Sequence, residues 1–359
     1  MIAFRPLRAL APLGLGLALA ALPAVALAQD ATPAATPTSD GDAVRVFDLP
    51  GEAVFPEGVA YDPNADAFYV GSAADGTIFR GDLATGAVEI FSPSGADGRT
   101  TAIGMKVDAA GLLYVAGGTT GLVWVYDTAA GTLVGQFDNG LSPDTFLNDI
   151  ALTPSGAYVT DSFNAVLYRA PGGGGATPIA GAGGQLEIAI DFTGTAYEFG
   201  EGFNSNGIVA DPTGQILIVI QSSTGNLFRV DLASQAVSQV DLGGDTLEAG
   251  DGLALAGDTL YVVRNAAGLI VPVVMNADLT AGVVGEGFTD PALAYPTTIA
   301  PYNDNGCLLV VNSQFDQQQG GQPVLPFTVA GIPIPAAAVA GGTPTAGASP
   351  IASPIAGGC

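Results

Sequence analysis

The sequence has no histidine, two cysteines, one lysine, and nine basic residues against 34 acidic ones. Each shortage removes a class of chemistry. Without imidazole there is no Ser-His-Asp triad, no histidine-ligated zinc and no acid–base relay on a ring that titrates near neutrality. With so few Lys and Arg and a formal net charge of −25, the chain lacks the basic clusters that phosphate binding needs, and nucleic acid is not an expected partner. Cys307 and Cys359 are too few for a disulfide framework. A bridge between them, and a buried Cys307 with a free Cys359, are both compatible with the sequence. Helical periodicity is also missing. The long central span is dense in Gly, Asp and short β-branched runs, which reads as all-β.

The two ends differ from that span. Residues 1–28 carry Arg5 and Arg8, an apolar run from Leu10 to Val25, and Ala26-Leu27-Ala28. This is the pattern of a secretory signal peptide cut after Ala28, and Pro12 and Pro23 argue against a membrane anchor. No cysteine follows the cut, so a lipoprotein signal is not expected. Cleavage leaves seven basic residues against the 34 acids, a balance suited to solubility and cation binding. The expectation is a secreted monomer with no membrane span after signal cleavage. Residues 29–42 read as a flexible linker and 331–359 as a low-complexity Pro/Ala/Gly/Thr tail, neither able to build a core.

Between them, residues 43–330 repeat. PEGVAYD, AIGMKVD, LNDIALT, SNGIVAD, GDGLALA and PTTIAP align with Glu57, Ile103, Asn148, Asn206, Asp251 and Thr297 at one position, at intervals of 46, 45, 58, 45 and 46 residues. Two residues further on stand Val59, Met105, Ile150, Ile208, Leu253 and Ile299, all apolar. That agreement sets the register, because a slip of one residue would turn these side chains to the other face. A second apolar run follows each first one, and a third follows in most units, as in GTIFRGDLATG and GLVWVYDTAAG. Six units of about four strands predict a six-bladed β-propeller. The last unit is one strand short, and Val44–Leu49 can supply it, closing the ring from the N-terminal side and removing the exposed edges.

In a propeller the first strand of each blade lines the central channel, so the aligned positions form a ring. Glu57, Asn148, Asn206 and Asp251 bring oxygen-bearing side chains to it. Two carboxylates crowded in a narrow channel are costly unless a cation or a proton lies between them. Two carboxylates and two amides are hard oxygen ligands with total charge −2, which suits one divalent cation, calcium before magnesium in so roomy a ring. Transition metals are disfavoured without His or Cys. The following positions include Gly58, Gly104, Gly207 and Gly252, which suggests close backbone approach at the mouth.

On PEGVAYD, LNDIAL, SNGIVADPTG and GDGLAL the chain resembles the senescence marker protein/gluconolactonase family of six-bladed propellers over residues 43–330. Diisopropyl fluorophosphatase and paraoxonase are more distant likenesses. The resemblance implies that Glu57, Asn148, Asn206 and Asp251 hold calcium, that Asp251 is the general base or nucleophile, and that the substrate is a lactone or related ester. Sugar-lactone members usually have an arginine where this chain has Phe146, which points to a less polar substrate, and the histidine of the distant branches is missing.

Strand direction brings the ends of the second strands near the same face. This nominates Asp161, Gln221, Arg264 and Asn312, with Phe146, as contacts for a small-molecule substrate or ligand. Among them Arg264 is placed to meet an anion or carbonyl, and Asp161 is the alternative base. The long interval before Asn206 predicts an insertion over the site, with Tyr197, Phe199 and Phe203 as part of an apolar lid. A non-catalytic propeller stabilised by calcium, binding a ligand or protein, is the competing reading.

Overall fold

A computed structural model describes residues 44–172, 183–335 and 359. The expected leader over 1–28, the linker over 29–42 and all but the edges of the 331–359 tail lie outside the described residues. The rest is all-β: six antiparallel blades of a β-propeller.

Blade 1 consists of Pro56–Asp62, Ala67–Ser72, Ile78–Asp82 and Val88–Ser92. The inner strands of blades 2 to 6 are Met105–Val107, Leu147–Thr153, Ser205–Ala210, Gly250–Ala256 and Pro296–Tyr302. Blade 6 takes its outer strand from Arg45–Leu49, which pairs antiparallel with Phe327–Pro333 from Arg45↔Gly331 to Leu49↔Phe327. The N-terminal strand therefore closes the ring, as the missing strand predicts.

The apolar residues form six clusters rather than one core, each between two neighbouring blades. Phe47, Phe68 and Leu309 belong to the cluster between blades 6 and 1, and Met105, Leu113 and Trp124 to that between blades 1 and 2. A sheet covered on both faces needs apolar residues at successive positions, which explains runs such as AFYVGS and ILIVIQ. The six residues that set the register, Val59 to Ile299, are all buried.

Turns repeat as well. Asp82 accepts hydrogen bonds from the Thr85 amide and hydroxyl at 2.7 and 2.8 Å. Asp127 holds the Ala129 and Ala130 amides, and Asp231 the Ser234 amide, in the same way. The fifth residue of each turn is left-handed: Gly86, Gly131 and Gln235 have φ of 78°, 67° and 58°.

Residues 183–204 do not form the expected overhang. Gly184–Gln185 adds in parallel to the outer strand of blade 2, and Glu187–Asp191 is the outer strand of blade 3. Tyr197 is buried, its ring 4.5 Å from Phe192 and 4.4 Å from Phe228, and Phe199 packs on the same cluster. An aromatic segment with an apolar interface beside it completes that interface, and only Phe203 reaches the mouth.

Candidate metal and substrate site

Each inner strand begins with the same irregularity. In blade 1 Pro56 pairs with Ser72 and Val59 with Val70, so Glu57 and Gly58 together oppose one residue. The same two-against-one step occurs at Asn148–Asp149, Asn206–Gly207, Asp251–Gly252 and Thr297–Thr298. In blade 2 Ile103 and Gly104 both bond to Ala116. A bulge bends its strand and re-aims a side chain. Here it places every ring residue at an equivalent point of its blade.

The bulges touch one another. A Cβ on Gly58 would collide with the Ile103 carbonyl, one on Gly104 with the Asn148 carbonyl, and one on Gly207 with the Asp251 carbonyl. The Gly104 amide donates to the Asn148 carbonyl at 2.8 Å, the Thr160 hydroxyl to the Asn206 carbonyl at 2.8 Å, and the Thr297 hydroxyl to the Glu57 carbonyl at 2.9 Å. The glycines thus admit the close approach their positions suggest.

Glu57, Asn148, Asn206 and Asp251 are all buried. The Asn148 amide nitrogen donates to Ser162 Oγ at 2.9 Å and that of Asn206 to Ser222 Oγ at 3.0 Å, while Asn265 donates to Asp251 Oδ2 at 2.9 Å. Glu57 Oε2 and Asn148 Oδ1 are buried without a hydrogen-bond partner. Burial raises the Glu57 carboxyl well above its ordinary value, helped by the charges of Asp251 and Asp149 and opposed by Lys106. Burial likewise raises Asp251 to about 7, with Asp149 adding to the rise and hydrogen bonds from Asn265 and Asn206 opposing it. Both acids are short of compensation where they stand, and two neighbouring oxygens lack donors.

Among the described residues no three His, Cys, Asp or Glu side chains group closely enough to hold a metal by themselves. The ring mixes carboxylates with amides instead. Its two orphaned oxygens and repelling acids fit a hard cation such as calcium.

Several nominated contacts have other partners. Asp161 is buried and accepts from Thr145 Oγ1 and from the Phe146, Phe163 and Asn164 amides at 3.0, 2.9 and 3.1 Å. Gln221 binds the Glu198 carbonyl and Asn204, and Asn312 binds the Ala292 carbonyl, the Ala294 amide and Thr328. Arg264 holds the Glu248 carbonyl at 2.8 Å through Nε. These side chains pin connecting loops.

The residues that bond the ring stand one position later, at Ser162, Ser222 and Asn265. Strand alternation turns neighbours to opposite sides, so an offset of one residue exchanges a loop anchor for a ring contact. In blades 1 and 2 the equivalent positions are Ala73 and Gly118, so the sequence carries only a partial signal for them.

Phe146 packs with Phe163 and Phe203, ring centres 5.2 to 5.6 Å apart. Phe163 and Phe203 are 45% and 46% exposed, an unusual amount for phenylalanine. The sequence order keeps this trio close to the ring: Phe146 is two residues before Asn148, Phe163 follows Ser162, and Phe203 is three before Asn206. On another side of the mouth, burial and the charge of Asp251 raise the Tyr295 phenol above its ordinary value. Tyr295 and Phe55 have φ of 50° and 41° immediately before their inner strands, a conformation that costs bulky residues about 1–2 kcal/mol each and clusters at functional sites. Tyr295 was not foreseen, because a left-handed tyrosine carries no sequence signature.

Fold and site together define a six-bladed β-propeller with a buried polar ring at one end of its channel. No protein-family model and no curated protein matches the chain. Solved structures do match its fold. Regucalcin from Agrobacterium tumefaciens, described as a calcium-binding protein, superposes with a TM-score of 0.56 at 16% identity, over 78% of this chain and 90% of that one. A luciferin-regenerating enzyme gives 0.55 at 12% identity, covering 81% and 95%. Virginiamycin B lyase from Staphylococcus aureus gives 0.52 at 10% identity, covering 81% and 99%.

Proposed function

We propose that the chain is an exported, calcium-dependent hydrolase of a lactone or related ester, of the gluconolactonase type, with apolar substituents on its substrate. The observation that carries this reading is the pair of buried oxygens without partners, Glu57 Oε2 and Asn148 Oδ1, beside two acids whose protonation burial favours. Glu57, Asn148, Asn206 and Asp251 would hold the ion. When bound, calcium supplies polarisation of the substrate carbonyl and charge stabilisation for the oxygen that becomes negative.

The chain's own residues supply the rest. Ser162 and Ser222 hold the amide nitrogens of Asn148 and Asn206, leaving their carbonyl oxygens as the donor atoms. Asn265 holds Asp251 Oδ2, so that carboxylate is oriented to take a proton from water or to attack directly. Phe146, Phe163 and Phe203 receive the apolar part of the substrate and exclude water beside the reacting carbonyl. Tyr295, whose phenol feels the charge of Asp251, would donate to an oxygen of the substrate.

Export is supported by the Cys307–Cys359 disulfide, a bond that persists in oxidising compartments. The proposed partner is a small molecule, and the working unit a monomer.

A second reading, a non-catalytic calcium-stabilised propeller, is favoured by one observation: Asp161, Gln221 and Asn312 are engaged with loops. A panel of lactones, aryl esters and organophosphates, assayed with and without chelator, separates the two. The hydrolase turns over an apolar lactone or ester, loses activity in chelator, and loses about 100-fold or more on Asp251→Asn. Calcium binding with no turnover across the panel would leave the second reading.

A further inference from the structure

The layers of the channel are nearly uniform, with two exceptions that touch. Directly after the ring residues come Gly58, Gly104, Gly207, Gly252 and Thr298, and in blade 3 Asp149. Three residues after the ring residues come Ala60, Ala151, Val209, Ala254 and Ala300, and in blade 2 Lys106, the chain's only lysine. The small layer leaves room for one long side chain. Lys106 fills it and reaches Asp149 Oδ1 at 3.2 Å in the neighbouring blade.

Asp149 is buried and fixed. Its Oδ1 also accepts from the Ile150 amide at 2.8 Å, its Oδ2 from the Ile208 amide of blade 4 at 3.3 Å, and its own amide donates to Thr160 Oγ1. The Lys106 side chain is 24% exposed and lines a cavity of about 340 Å³ that begins below the ring with Ala60, Ala151 and Ile208. Three acids, Glu57, Asp149 and Asp251, influence one another here, and one fixed cation faces them.

We infer that Lys106 is a built-in cation that neutralises Asp149, leaves the ring with the charge of two carboxylates, and so sets both its affinity for calcium and its capacity of one ion. The inference rests on the calcium reading of the ring and adds a residue outside the donor set. Lys106 acts through Asp149 and is a positioning residue. A partly buried charge in a protein channel is felt over several ångströms, so its removal changes ion binding without any donor being altered.

Isothermal titration of the chelator-treated protein with calcium chloride, paired with thermal unfolding, tests it. Lys106→Met is expected to bind calcium at least about tenfold more tightly than wild type. It should melt earlier without calcium, because Asp149 is then buried unpaired, and gain more Tm from saturating calcium. Asp149→Asn, which leaves Lys106 uncompensated, should bind at least about tenfold more weakly, and the double variant should return near the wild-type Kd. A merely structural lysine would lower Tm equally with and without calcium and leave the Kd unchanged, which would overturn the inference alone. Should Lys106→Met not fold, an unchanged Kd in Asp149→Asn overturns it equally. Wild type that binds no calcium overturns the calcium reading and this inference with it.

Discussion

Glu57 and Asp251 sit where burial and mutual repulsion both favour the protonated form, and that makes the cation-free protein sensitive to pH in an unusual direction. Asp251 moves from 3.8 to about 7 on folding, and Glu57 is raised in the same sense. A carboxyl whose folded value lies above its unfolded one binds more protons when folded, so its contribution is complete below the lower value and lost as pH rises. In chelator, Tm should therefore fall between about pH 4 and 7 relative to an Asp251→Asn variant, whose ring carries one acid fewer. Calcium should add stability over the same window, since it needs the ionised acids. Equal pH profiles for the two proteins in chelator would remove the electrostatic account of the ring. The four ring residues were legible because the repeat aligns them. Ser162, Ser222, Asn265 and Tyr295 were not, because strand alternation turns the neighbour of each nominated residue to the ring and a backbone dihedral leaves no mark in composition.

Strands, turns and bulges differ in how far their causes extend along the chain. The strands are local: runs such as LLYVA and ILIVI carry apolar or aromatic residues at successive positions because each blade is covered on both faces. The turns are local too, and one of them is imperfect. Gln235 stands left-handed where Gly86 and Gly131 occupy the matching turns. Gln235→Gly should stabilise by about 0.5–1 kcal/mol, read as a higher denaturant midpoint at constant slope. The bulges are not local. Gly58→Ala places a methyl group against the Ile103 backbone of the next blade and should cost about 2 kcal/mol or more, with weaker calcium binding in the same titration. The path of residues 183–204 was hidden for the same reason: Tyr197 follows the interface offered by Phe192 and Phe228, and a segment does not record which neighbour will cover it.

At the scale of the whole molecule, six blade-to-blade interfaces replace a single core, and blade 6 carries two ties to segments outside its own repeat. One is the pairing of Arg45–Leu49 with Phe327–Pro333. The other is the Cys307–Cys359 bond, whose far residue is buried, packs on Gly331 and accepts a hydrogen bond from the Tyr302 hydroxyl. The bond spans 52 residues, and Cys359→Ser should cost about 2–4 kcal/mol by constraining the unfolded chain less, measured by denaturant unfolding under oxidising conditions. A variant lacking 44–49 should expose the edge of Phe327–Pro333 and aggregate, visible as growth of large species in light scattering. The six-bladed architecture, its closing strand and the alignment of the four oxygen-bearing ring residues follow from the sequence alone, because strand periodicity and a repeat of about 45 residues are written along the chain. The cysteine pairing, the Lys106–Asp149 bond, the aromatic trio and the loop roles of Asp161, Gln221 and Asn312 were decided only on folding. Each depends on contacts between separate strands and loops, and such distances exist only once the chain has folded.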